Sequence, residues 1–570
     1  MSVVGIDFGN LSLLIALAGK GGVDVILNDS SNRQTATSVA FQGKQRFLGD
    51  AAATMARSNI HNTISNMKLL VGRKFDSPDV QNELKKCPFR TARLPNGGVG
   101  ILVSYKDESV TISAEQALAM MLVKAKDIAA KANANVNVAE SVLAVPAWFT
   151  DAQRRGILTA CEIASLNCLK VANESTAIAL SYGIFKSAKK LFSETEAVHI
   201  MFIDLGYTGY TVTIVDFIQE NMKVLSSVSS RDVGGRDFDE IIIDFIIENF
   251  HKKYNINVRG NWKAYLKMQA AAEKAKKVLS PNGVTEASLS VECLAEDRDF
   301  NQTLTKEEFE RRSATLVDRL AAPIHQALAE AGLTREQLSE IEIVGGSTRI
   351  GLIKKTIGEI LGLDPSAMNN GLKTTMNSDE AVARGAALQC AILSSRMKVK
   401  PFNIVDRLQY GIVAHFDAAA PSSSSEQAES KEDVSVSGSS AALYAHNDEV
   451  PHKPRRLTFK RKSADFVITL AYDEAAVAAL PAGMCVCVCV LNPSILIVAI
   501  VVVVAIVVGE DRTIGRYTIK VPAALVEKNG PSDIRVTFNL DKHGLVYVQS
   551  AQFMVCCCVV VVVGICCCFN

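Results

Sequence analysis

Residues 3–18, VVGIDFGNLSLLIALA, and residues 201–217, MFIDLGYTGYTVTIVDF, share one layout: apolar strand, Asp-x-Gly turn, apolar strand, with Asp204 following Asp7 by 197 residues. A single Asp-x-Gly triplet is an ordinary β-turn and says nothing about ligands. Two copies at domain-sized separation predict a duplicated, two-lobed unit whose turns face one ligand. Such a turn suits a polyphosphate. Gly9 and Gly206 would let backbone N–H groups approach phosphates, and the carboxylates of Asp7 and Asp204 would hold the water shell of a Mg2+ ion.

From residue 2 to about 395, β-branched runs alternate with long amphipathic helices, the pattern of an α/β protein with covered sheets. Thr150 with Gln153 makes a capping box directly after the strand-like residues 141–146, and Thr334 with Gln337 repeats it after Gly332 closes the preceding helix. Trp148 and Phe149 read as core aromatics ahead of a helix start. Residues 340–344 alternate as a strand and run into Gly345, Gly346, Ser347, Thr348 and Arg349, so bare backbone meets a flat ligand at a strand end. After Phe416 the text becomes AAAPSSSSEQAESKEDVSVSGSS, too polar to order itself and read as a flexible loop. Beyond it, alternating segments at 466–472, 517–521 and 534–540, a turn at 542–544 and a segment at 545–549 predict a small antiparallel β domain.

The chain has 570 residues, enough for three or four domain-sized units. Its 61 basic and 60 acidic side chains leave a formal charge of +1, which argues against phosphate steering and excludes a dedicated nucleic-acid binder. Residues 1–10 lack a basic n-region and place Asp7 in the apolar run, so a cytoplasmic location is expected. Of 14 cysteines, Cys87, Cys161, Cys168, Cys293 and Cys390 are scattered without metal-ligand spacing and read as reduced thiols; nine crowd into two tracts. Those tracts, CVCVCVLNPSILIVAIVVVVAIVV at 485–508 and VCCCVVVVVGICCC at 555–568, are too simple to encode a packed core. A membrane span needs about 20 apolar residues, which the uninterrupted run 495–508 does not reach without the Cys-Val stretch before Pro493. A buried strand would be unusually long and prone to aggregate. The preferred reading is a gene-model one, a retained intron and a read-through end, because alternating Val-Cys is what an in-frame GT repeat encodes; a spliced transcript without codons 485–508 is expected.

Further motifs carry a family resemblance. IEIVGGSTRI at 341–350 and AEKAKKVLS at 272–280 resemble the adenosine site of the heat shock protein 70 superfamily. VGRKF at 71–75 resembles the segment after its catalytic lysine, and DEAVARGAALQCAIL at 379–393 its domain-closing helix. The resemblance covers about 400 residues densely and the β domain weakly. It implies a two-lobed actin-like (ribonuclease H-like) α/β ATPase domain at 1–395, a linker at 396–404 and a β-sandwich peptide-binding domain at 405–554. The Ser-rich loop 418–441 and the insert 485–508 interrupt the sandwich, and a low-complexity tail occupies 555–570. ATP and Mg2+ are the implied cofactors. Asp7 and Asp204 would order the metal through waters, Lys68 would reach the attacking water or γ-phosphate, and Glu174 would hold the metal shell. Gly9, Asn10, Leu11, Gly206, Tyr207, Gly234 and Gly235 would line the phosphates. Glu273, Lys276, Lys277, Ser280, Gly345, Gly346, Ser347, Arg349 and Asp379 would surround the nucleoside, with Arg349 and Lys276 sandwiching the base. Taken singly, Lys68 reads as a solvated surface lysine, Glu174 as a helix-cap partner, and Lys274, Lys276 and Lys277 as a solvated helix face. Their joint order along the chain reverses that.

Departures point to a branch. Where the foldases carry a glycine triplet followed by Thr and Asp, this chain has Tyr207, Thr208, Gly209 and Thr211; Asn10, Leu11 and Ser12 replace a Thr-Thr pair. A carboxylate and a hydroxyl expected near the γ-phosphate are missing, so ATP binding with slow hydrolysis is expected. GIDFGN, LNCLKVANESTAIALSYGIFK and the KVKPFNIVD that replaces a leucine-rich linker resemble the heat shock protein 110 branch. That resemblance implies a nucleotide exchange factor for a heat shock protein 70 partner and a holdase for unfolded polypeptides. Family members also grip the partner with a C-terminal helical bundle, which residues 405–570 do not encode. The alternatives are an ATP-hydrolysing foldase, a membrane-anchored ATP-binding protein using residues 485–508, and a sugar kinase of the same fold, for which no sugar motif is found.

Overall fold

The computed structural model describes residues 2–19, 21–134, 138, 140–416, 440–462, 466–473, 503–505, 513–519, 521, 532–555 and 558–560. The duplicated sequence is a duplicated structure. In the first lobe, Val3–Phe8 pairs antiparallel with Ser12–Gly19 and parallel with Ser141–Val145, which pairs parallel with Cys168–Asn173. In the second, Val198–Leu205 pairs antiparallel with Tyr210–Ile218 and parallel with Glu340–Val344. Asp7 lies opposite Ala144 and Asp204 opposite Val344, so each carboxylate ends a central strand flanked by one parallel and one antiparallel neighbour. Apart from Asp7, His199 and Asp204 these two central strands are apolar, and they are largely buried, as strands covered on both faces are.

Two helices meet between the lobes, Glu174–Ala188 and Ala381–Leu393. Gly385 makes the crossing possible: a Cβ there would lie 1.8 Å from the Ala177 carbonyl oxygen, so only glycine allows the two backbones this close. The capping boxes at Thr150 and Thr334 form as the sequence predicts, the first opening the α-helix Asp151–Ile163 and the second a 3-10 turn at Arg335–Gln337.

The C-terminal strands make two facing antiparallel sheets, one built on Ile412–Phe416, Phe466–Tyr472 and Thr513–Ile519, the other on Arg455–Lys462, Ser532–Leu540 and Val546–Val555. Phe416, Phe459 and Phe466 fill the space between them, with ring centroids 5.2 and 4.7 Å apart. The whole is the α/β actin-like domain followed by a small β-sandwich that the motifs imply. Asn403–Arg407, at the end of the expected linker, adds a parallel strand to the second lobe's sheet beside Asn221–Ser230. The sandwich core is continuous with that of the first lobe. Tyr410 donates to the Trp148 carbonyl (3.0 Å), the Asp151 amide donates to the Tyr472 hydroxyl (2.8 Å), and Asn173 and Thr176 both donate to Asp406 (3.1 and 2.7 Å). Trp148 and Phe149 are buried as expected, but they form the seam between the domains.

The Ser-rich loop, apart from Ser440 and Ala441 in a strand, lies outside the described residues, and so does most of 485–508. Val503–Ala505 is described, as an edge strand on Thr513–Ile519, and Cys558–Val560 pairs with residues 553–555. Among the described residues no helix is long and apolar enough to cross a membrane.

Candidate functional site

The two Asp-x-Gly turns face each other across a cleft of about 760 Å³. Each closes the same way: the Gly9 amide donates to the Ser12 carbonyl (3.0 Å) and the Gly206 amide to the Gly209 carbonyl (2.9 Å). Those two N–H groups are thus engaged within their own turns, and Gly9 contributes room, its missing Cβ being 2.5 Å from the Ser12 oxygen.

Asp7, Asp204, Lys68 and Glu174 line the floor. Lys68 is 3% exposed and bonds Glu174 Oε1 at 2.5 Å, which rules out the solvated-surface reading. Glu174 opens the helix Glu174–Ala188, so its position follows from the sharp turn out of the strand Cys168–Asn173. Burial and the neighbouring Glu174 carboxylate push Asp7 and Asp204 up to about 7, with Lys68 pulling the other way. Carboxylates crowded in this way accept a cation readily. Asp7 and Asp204, with Glu174 beside them, are oxygen donors that fit a hydrated Mg2+ held through its waters.

The other wall is built by Gly345, Gly346, Ser347 and Arg349 with Glu273, Lys276, Lys277 and Ser280. Gly345 has φ 86°, and a Cβ there would sit 2.5 Å from Asp204 Oδ1, so the strand end and the second acidic turn are packed backbone to carboxylate. Ser347 Oγ donates to the Gly206 carbonyl (2.9 Å), and Arg349 pairs with Asp379 (2.7 Å). The three lysines separate: Lys274 and Lys277 are exposed, whereas Lys276 is buried, with its ammonium between Asp239 and the Gly235 carbonyl at 2.8 Å each. Asn10, Leu11 and Tyr207 also line the cleft. Gly234 and Gly235 do not. They stand behind the second turn, where the Gly235 amide donates to the Gly206 carbonyl (2.9 Å) and a Cβ on Gly234 would meet the Tyr207 oxygen at 2.6 Å.

The substituted positions are engaged with protein. Asn10 Nδ2 donates to Thr208 Oγ1 across the cleft (2.6 Å), and Thr211 Oγ1 bonds Ser229 Oγ (3.0 Å). Sequence reasoning missed Lys354, Asn369 and Asn370, which also line the cleft; Lys354 donates to Asn369 Oδ1 (3.2 Å). The Met-Asn-Asn-Gly run at 368–371 was the available signal, because both asparagines adopt positive φ (53° and 56°), which Asn tolerates and most residues do not.

The family model described as "Hsp70 protein" matches residues 3–440. Among curated relatives, the "97 kDa heat shock protein" of Strongylocentrotus purpuratus is 35% identical over 97% of this chain and 56% of its own length. "Heat shock 70 kDa protein 16" of Arabidopsis thaliana is 42% identical over 72% and 52%, and "Heat shock 70 kDa protein 4L" of Homo sapiens 39% identical over 75% and 50%. The chain thus spans about half the length of these relatives. With the mirrored acidic turns, the buried Lys68–Glu174 pair and the glycine-lined wall in one cleft, the chain belongs to the heat shock protein 70 family, in its heat shock protein 110 branch.

Proposed function

We propose that the cleft binds ATP with Mg2+ and that the protein is a chaperone of the heat shock protein 110 type. In that reading it is a nucleotide exchange factor for a cytoplasmic heat shock protein 70 partner and a holdase for unfolded polypeptides. The carrying observation is the pair of crowded carboxylates, Asp7 and Asp204, on mirrored turns, which a hydrated cation and polyphosphate would neutralise. Asp7 and Asp204 would hold the waters of a bound Mg2+, Lys68 with Glu174 would face the phosphates, and Ser347, Arg349 and Glu273 would receive the nucleoside. Bound Mg2+ would neutralise charge on the transferred phosphoryl group. Hydrolysis is slow, because Tyr207, Thr208, Gly209 and Thr211 stand where the foldases carry a further carboxylate and hydroxyl near the γ-phosphate, and Thr211 Oγ1 is bonded to Ser229 Oγ (3.0 Å). The sandwich, seated on the first lobe, is the candidate polypeptide-binding unit.

Titration of the full chain with a fluorescent ATP analogue tests the first step. Saturable, Mg2+-dependent binding that weakens at least about tenfold in Asp204→Asn is expected; no saturable binding would sink the reading. Release of fluorescent ADP from a heat shock protein 70 partner tests the second, and a partner rate unchanged by the ATP-loaded protein would remove the exchange role. The intact Lys68–Glu174 pair favours a second reading, a hydrolysing foldase. Single-turnover hydrolysis as fast as an active foldase's would select it.

A further inference from the structure

Behind the phosphate-facing loops the two lobes are joined by an ionic contact that no part of the proposed activity uses. Arg236, in the first turn of the helix Gly235–Tyr254 of the second lobe, forks onto Glu83, near the end of the helix Pro78–Leu84 of the first lobe. Both hydrogen bonds are 2.7 Å, and the two side chains are 14% and 21% exposed. Beside it Asp79 pairs with Arg73 and lies 3.6 Å from Arg231, whose guanidinium stacks over the Trp148 ring at 5.0 Å.

Each end of this contact is tied to the cleft. On the second lobe, the Arg236 amide donates to the Tyr207 carbonyl (2.9 Å) and the Gly235 amide to the Gly206 carbonyl (2.9 Å), so the guanidinium is fixed to the acidic turn itself. On the first lobe, Arg73 follows the short helix Met67–Leu69 that carries Lys68, and its Nη1 donates back to the Leu69 carbonyl (3.0 Å). We propose that Arg236 and Glu83 are positioning residues, an interlobe clasp that holds the two phosphate-facing loops at closed spacing and so sets how slowly the cleft lets go of its ligand.

The geometry is that of a strong contact. A bidentate guanidinium–carboxylate pair fixes orientation as well as distance. Burial opposes the Glu83 carboxylate, but the hydrogen bond and charge of Arg236 outweigh it and hold that carboxyl below its ordinary value. Separating the lobes must break both hydrogen bonds at once and leave the Arg73–Asp79–Arg231 group partly unpaired.

The clasp as a retention device rests on the nucleotide reading, so the test has one arm that needs no nucleotide. In the full-length, nucleotide-free protein, hydrogen exchange of the amides in residues 231–240, whose bonds to the acidic turn the Arg236–Glu83 contact braces, reports loss of the clasp. Glu83→Gln and Arg236→Gln are each expected to raise that exchange about tenfold and to speed release of fluorescent ADP by a similar factor. The swap Glu83→Arg with Arg236→Glu is expected to bring both back to within about threefold of wild type, which a purely packing role would not do. Wild-type release should also accelerate with KCl more steeply than release from Glu83→Gln, a comparison in which the wild-type limb needs no variant. Unchanged exchange in both single variants overturns the clasp, as does a swap that fails to restore protection while circular dichroism is unchanged. A wild-type protein that retains no fluorescent nucleotide counts against the ATP reading, and the exchange arm still decides the clasp.

Discussion

Gly345 concentrates several demands on one residue: φ of 86°, a strand end, and the Leu205 carbonyl and Asp204 carboxylate 2.4 and 2.5 Å from where a Cβ would be. Gly345→Ala should lower stability by about 2 kcal/mol or more, measured by urea denaturation, and weaken nucleotide binding because the second acidic turn must shift. Lys68 shows the opposite dependence, on charge. It is the cation among Asp7, Glu174 and Asp204, so Lys68→Ala leaves those carboxylates to repel one another. We expect melting without divalent ions to fall by an amount equivalent to roughly 1–3 kcal/mol, and Mg2+ to restore part of it. The residue types at these positions were legible from motif and order. That Lys68 and Lys276 are buried while Lys274 and Lys277 are solvated was not, since all four are lysines and only packing distinguishes them.

At the scale of elements, the strands were legible where side-chain period and turn chemistry agreed. Residues 466–472 and 340–344 were bounded to the residue, and both capping boxes form. The segment read as 517–521 proves to be Thr513–Ile519, because Gly515 and Arg516 break the apolar alternation while the strand follows the pairing of Phe466–Tyr472. The crossing of Glu174–Ala188 with Ala381–Leu393 was not legible at all. Nothing local marks Gly385 as a contact, yet its position against Ala177 sets the spacing of the helices on which both lobes rest. Gly385→Ala should destabilise the protein by about 2–3 kcal/mol, measured by denaturant unfolding, because the listener to the added methyl is backbone and cannot rotate away.

For the whole molecule, the seating of the sandwich on the first lobe is the property with a pH dependence. The Val171 amide donates to His543 Nδ1 (3.1 Å), which requires that nitrogen to be unprotonated, and Arg154 donates to the His543 carbonyl (3.3 Å). Burial, then Lys542, Lys170 and Arg154, push the imidazole from 6.5 down to about 4. A base whose pKa is lowered by docking takes up a proton more readily when undocked. Docking is therefore strongest above about pH 6.5 and is lost progressively as pH falls toward about 4, by on the order of 3 kcal/mol. Asp151 and Asp541, which burial pushes upward, act in the other direction. The informative quantity is thus the difference between wild type and His543→Asn, whose amide oxygen still accepts from Val171. Protection of the Val171 amide, taken after division by the intrinsic exchange rate at each pH, should fall between about pH 6.5 and 5 in wild type and fall less in the variant; equal slopes would remove His543 from the linkage.

The sequence by itself determined the duplicated strand-turn-strand plan, the family, and the two acidic turns and glycine-rich strand end that line the cleft, because those features depend on local period, turn geometry and residue order. Tertiary structure decided the rest. It engaged the Gly9 and Gly206 amides within their own turns, bonded the Gly235 amide to the Gly206 carbonyl, and set Thr208 Oγ1 to accept from Asn10 and Thr211 Oγ1 against Ser229 Oγ. It also paired Glu83 with Arg236, 153 positions apart, and set the sandwich against Trp148. Hydrogen-bond direction and long-range charge pairing are settled by which groups the folded chain brings within about 3 Å, and no local pattern encodes that distance.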